Sequence, residues 1–172
     1  MTQSSEREAV EPAMVALRRH LLSTSEVYFS SLPGARSQTG WAGNGEGRVA
    51  VTTDEDGSVV FTESGRFHPA VAPDAPAVSF RNVFRWRFLA DRVSLAHERR
   101  GAEAAVRLFD LAPEDTANTW ASCHDHLCGD DRYRARLVLG PLGFDLRWTI
   151  EGPRKDEHLH YRYRRAASAG VR

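Results

Sequence analysis

At 172 residues the chain is long enough to bury one full core and short enough to form a single domain. Its 41% hydrophobic and 27% charged residues argue against disorder, and 23 basic residues against 23 acidic ones leave no net field to gather nucleic acid or an anionic membrane. The basic set is lopsided, with 22 Arg and a single Lys, Lys155, as expected of a chain whose codon usage favours Arg. The start, MTQSSEREAVEPAM, has neither a basic n-region nor an apolar run, and no stretch approaches a membrane span. Two cysteines, Cys123 and Cys128, suit a reducing compartment, so a cytoplasmic protein is expected.

Residues 1–8 are polar and read as a disordered lead-in, which leaves one domain over residues 9–172. From Ala9 to Leu22 the residues Val10, Met14, Leu17 and Leu21 recur at helical spacing, with Pro12 in the first turn. After Leu22 the period changes to two. Ser25–Ser31 reads as a strand, and the Gly-rich stretch that follows reads as a lid or bulge without the helix N-terminus that a phosphate loop needs. Gly47–Thr53 and Ser58–Phe67 flank a hairpin turn at Asp54–Gly57. Ala77–Leu89 is the clearest strand, with Phe80, Phe84, Trp86 and Phe88 on one face and Arg81, Arg85 and Arg87 on the other. Arg92–Glu98, Ala104–Leu111, Thr119–His126, Arg132–Leu139, Phe144–Glu151 and Glu157–Arg164 complete the series.

Alternation this regular means one face buried and one wet, the mark of antiparallel sheets. About nine or ten meandering strands with one helix fit either a sandwich or a closed barrel, and closure removes the exposed edges. The expected fold is therefore mainly β: an up-and-down barrel of about 8–10 strands with one N-terminal helix, wide enough to hold a small ligand.

Two segments of the C-terminal half, HDHLCGDDRYRARL (His124–Leu137) and WTIEGPRKDEHLHYRYRR (Trp148–Arg165), follow the patterns H-x-C-x-x-D-x-Y and W-x-x-x-GP-[RK]-K-D. They resemble bacterial domain-of-unknown-function family 6314, and so do Val93–Pro113 and Phe61–Phe67. The resemblance implies a calycin-like, lipocalin-type barrel and no particular activity. A lipocalin-like chain carries G-x-W in its first strand, where this one has Glu26-Val27-Tyr28-Phe29, and Trp41 comes later.

Cys123, His124, His126 and Cys128 are all metal-capable, but strand parity separates Cys123 from the rest and no second ligand pair follows, so no metal site is expected. His97 shares a strand face with Val93 and Leu95, Glu63 with Val59 and Phe61, and Tyr133 with Leu137 and Leu139. These inward parities, with His126, make His126, His97, Tyr133 and Glu63 the candidates for acid–base chemistry, converging in one pocket. Phe84, Trp86, Trp148, Tyr161 and Arg154 are the candidate ligand contacts, with Arg154 either solvated in a tight turn or folded back toward Asp130 or Asp131. No G-x-S-x-G, nucleotide fingerprint or HExxH is present, and no cofactor is expected. The leading expectation is a barrel that binds a small, largely apolar organic molecule. The alternatives are a cofactor-free isomerase, cyclase or lyase using the His, Tyr and Glu groups, and a protein whose polar core only holds the fold.

Overall fold

A computed structural model describes residues 2–71, 74–116 and 118–167, the backbone alone for residues 2–9. One helix, α1 (Thr2–Leu22), precedes β1 (Thr24–Pro33), β2 (Gly43–Thr53), β3 (Val59–Pro69), β4 (Val78–Phe88), β5 (Val93–His97), β6 (Val106–Pro113), β7 (Thr119–Ser122), β8 (His126–Cys128), β9 (Asp131–Gly140), β10 (Gly143–Glu151) and β11 (Asp156–Arg165). Every pairing is antiparallel. β11 pairs back onto β1, and β10 pairs with both β9 and β11, so the ring closes, while β8 pairs with β9 alone. β7 and β8 lie on the same edge of β9, with Trp120 opposite Leu137 and His126 opposite Tyr133, and together make one stave of a ten-strand closed barrel. The mainly β, up-and-down architecture read from the alternation is the observed one.

The expected strand Thr119–His126 is broken between its two halves. Short polar side chains compete with the ladder there. Ser122 Oγ accepts from Ala135 N–H (2.5 Å) and donates to the Ala135 carbonyl (3.1 Å), while Cys123 N–H turns to the Asp110 carbonyl of β6 (2.9 Å). The parity argument over Cys123–Cys128 therefore fails. His124, Cys123 and Cys128 are exposed, and the described residues contain no cluster of metal-ligating side chains.

The helix begins at Thr2, ahead of the apolar period; Met1 of the expected lead-in, like residues 168–172, lies outside the described residues. Pro12 consequently sits inside the helix rather than in its first turn, where it forfeits one backbone bond. Ala13, Leu17 and Leu21, four residues apart, form the buried stripe, with Met14 packed at its margin. Thr24 Oγ1 bonds the His20 carbonyl (2.9 Å) where the helix gives way to β1. Among the described residues no helix is long and apolar enough to cross a membrane.

β2 and β3 approach closely at Gly47 and Gly65, which face each other. A Cβ on Gly47 would stand 2.3 Å from the Ser64 carbonyl oxygen, and one on Gly65 2.0 Å from that of Glu46. Residues without side chains are what lets the sheet bend this sharply.

Candidate functional site at the barrel mouth

The helix closes one end of the barrel. Arg18 donates to the Gly57 carbonyl in the β2–β3 turn (2.6 Å) and lies over the Phe88 ring, 5.3 Å from its centroid. The His20 ring stands between the Ala16 carbonyl (2.8 Å) and the Gly140 carbonyl of the β9–β10 turn (3.0 Å). The opposite end carries the β1–β2 loop, the β8–β9 hairpin and the β10–β11 turn.

Phe61, Trp86, Trp120 and Leu137, on the helix side, are wholly sealed (0% exposed). Their neighbours Phe84, Tyr161, Trp148 and Ala135 keep 4%, 6%, 8% and 8% of their surface, and Leu139 toward the helix end keeps 6%. Phe84 and Trp148 meet edge to face at 6.3 Å, and Trp148 and Tyr161 at 5.5 Å, so these rings form an apolar floor. Trp148 pairs across the ladder with Ala135. Trp148 Nε1 and His97 Nε2 have no hydrogen-bond partner, and the His97 ring stacks on Phe84 at 4.8 Å. Burial and the Arg99 guanidinium together push the His97 imidazole below its usual value.

Above the floor the rim is polar. Tyr133, partly buried, packs edge-on against His126, with ring centroids 5.9 Å apart. Asp131 has the same parity as Tyr133, and its carboxylate takes Lys155 Nζ at 2.7 Å. Asp131 first, then the neighbouring Tyr133 hydroxyl, hold the Lys155 ammonium above its usual value. Gly152 makes this possible, since a Cβ there would stand 2.0 Å from Asp131 Oδ1.

Across the mouth, the β1–β2 loop is tied to the β10–β11 turn. Gly34 N–H bonds the Asp156 carbonyl (2.6 Å) and Gln38 N–H the Arg154 carbonyl (3.1 Å). Thr39 Oγ1 donates to the buried carboxylate of Glu157 at 2.9 Å, and Ser37 Oγ donates to the same oxygen. Trp41 ends this strap with its ring 6.0 Å from Phe67.

The four expected acid–base residues thus take different surroundings. His126 and Tyr133 are neighbours at the rim, and His97 lies beside the floor. Glu63 is fully buried at mid-barrel, bonded to the Tyr163 hydroxyl (2.6 Å) and to Asn82 Nδ2 (3.3 Å). Burial pushes its carboxyl up to about 7, with the two hydrogen bonds pulling the other way. No hydrogen bond among the described residues joins any two of the four. Of the expected ligand contacts, Phe84, Trp148 and Tyr161 form the floor, whereas Trp86 is sealed behind it against Phe144. Arg154 is exposed in the turn, and it is Lys155 that reaches Asp131.

A family model described as a family of unknown function (DUF6314) matches residues 17–165. The chain belongs to this family. No curated protein and no solved structure matches it. The DUF6314 match runs from within α1 to the end of β11 and so takes in the whole barrel. The two segments that carried the sequence resemblance to DUF6314 are the two sides of the polar rim. His126, Asp131 and Tyr133 come from the first, and Gly152 and Lys155 from the second.

Glu157 and Tyr163 were not singled out from the sequence. Their signal was present: both share parity with Leu159 and Tyr161, opposite the alternating Arg162 and Arg164. The Asp131–Lys155 pair had no such signal, because it joins two turns that only the register of β9 on β10 sets side by side.

Proposed function

We propose that this barrel binds a small, largely apolar organic molecule in the mouth-side half of its interior. The supporting observation is the cluster of Phe84, Trp148 and Tyr161 rings, 4%, 8% and 6% exposed, beside the unpartnered Nε2 of His97; the indole N–H groups of Trp86, Trp120 and Trp148 also lack partners. Buried polar groups without partners are costly, and a bound ligand is one way to satisfy them. Binding is favoured over acid–base catalysis because Glu63, the carboxyl closest to neutral titration, is fully buried and committed to Tyr163 and Asn82. The exposed, unpaired thiols of Cys123 and Cys128 support a reducing compartment, the cytoplasm.

The test is titration with the apolar fluorophore N-phenyl-1-naphthylamine. Its emission is expected to rise and shift to the blue with the parent protein, and to stay at the aqueous level with Ala135→Leu, which sets a larger side chain opposite Trp148. Val15→Glu, on the exposed side of α1, is expected to leave the titration unchanged. No enhancement with the parent, or loss of enhancement only in the helix variant, contradicts an interior site.

A further inference from the structure

The chain uses Arg at 22 basic positions and Lys at one, and that one lysine stands at the barrel mouth. Lys155 reaches across from the β10–β11 turn to Asp131, beside the inward-facing Tyr133, with His126 against the Tyr133 ring. The arrangement is built rather than incidental. Gly152 vacates the volume that the Asp131 carboxylate fills, and Gly152 N–H closes the turn on the Lys155 carbonyl at 2.9 Å. An ammonium is a compact charge with three N–H donors, whereas a guanidinium is a wide planar fork. Asp131 engages one donor of Lys155, and the Tyr133 hydroxyl lies beside the same ammonium.

Building on the interior-ligand reading, we infer that Lys155 and Tyr133 form the polar reading head of the site and take a neutral carbonyl oxygen on the apolar ligand. Two donors of different residues, an N–H and an O–H, lie at the rim above the apolar floor. The Asp131 carboxylate neutralises the ammonium, so the pair offers hydrogen bonds with little net charge. That suits a ketone, aldehyde or ester oxygen and disfavours phosphate or another dianion. Because Asp131 holds Lys155 protonated, the amine is a donor at neutral pH and not a nucleophile toward that carbonyl.

Competition against N-phenyl-1-naphthylamine tests this with three matched probes: 2-acetylnaphthalene, 2-ethylnaphthalene, which lacks the oxygen, and 2-naphthoate. The ketone is expected to bind on the order of tenfold more tightly than the hydrocarbon, the difference one or two hydrogen bonds make. Tyr133→Phe and Lys155→Met should each remove most of that advantage and leave 2-ethylnaphthalene affinity unchanged, which shows the apolar floor intact. Equal affinities for ketone and hydrocarbon in the parent overturn the inference while leaving the interior site standing. So does an advantage that survives both variants, or 2-naphthoate binding more tightly than the ketone. Failure of the fluorophore itself to bind removes the interior site and this inference together.

Discussion

Glu63 and Trp148 are the residues on which the interior depends in opposite ways. The folded carboxyl of Glu63 sits near 7, above its ordinary 4.5. The stability it contributes is therefore fully present below about pH 4.5 and is lost as pH rises toward about 7, because the unfolded chain ionises first. The difference corresponds to about 3 kcal/mol. Glu63→Gln keeps the shape and cannot ionise. Its stability relative to the parent should rise by that order between pH 4.5 and 7.5, measured by urea melts at each pH; a difference that stays flat would place the carboxyl in a wetter setting. Trp148 contributes area rather than charge, packing against Phe84, Phe109 and Tyr161. Trp148→Ala should cost about 3–5 kcal/mol. A urea melt that overlays the parent would contradict its place in the core. Periodicity alone put both residues inside, since Glu63 alternates with Phe61 and Trp148 with Leu146 and Ile150. What periodicity could not convey was height along the barrel, which separates Glu63 from His126 and Tyr133.

At the level of elements, the close approach of β2 and β3 and the strap across the mouth are the parts that the sequence pattern shows least. Gly47 and Gly65 each sit in a run that reads as an ordinary strand, and only their register opposite one another reveals the bend. Gly65→Ala would press a methyl on the Glu46 carbonyl, a backbone atom that cannot move aside, and should cost about 1–3 kcal/mol or more by thermal melt. A neutral melt would mean the two strands stand further apart. The strap is held chiefly by Glu157, which receives both Ser37 and Thr39. Glu157→Ala should speed amide exchange at residues 34–42 while the β9 and β10 amides keep their protection. Unchanged exchange there would show that the backbone bonds to Arg154 and Asp156 suffice. The break between β7 and β8 was equally hidden, because Ser122–Asp125 carries no Gly or Pro, and its cause is the pairing of Ser122 with a residue of another strand.

For the whole molecule, alternation from β1 to β11 was enough to give the mainly β class, left a sandwich and a barrel open, and needed the argument from exposed edges to favour closure. Regular one-sided burial has few solutions, and a meander that pairs its last strand with its first closes on itself. The site was legible only in pieces. Each rim residue could be assigned to a strand or turn, but the meeting of Asp131, Tyr133 and Lys155 depends on the register of β9, β10 and β11. In the resulting molecule the helix covers one end of the barrel and the strap crosses the other, and the proposed ligand site lies under the strap. The most direct test of that placement is the indole N–H region of a ¹H–¹⁵N spectrum during titration with N-phenyl-1-naphthylamine. The Trp148 signal should move in proportion to occupancy, while those of Trp86 and Trp120, sealed on the helix side, should stay in place. Shifts confined to Trp86 and Trp120, or a Trp148 signal that stays fixed at saturating probe, would contradict a binding site in the mouth-side half.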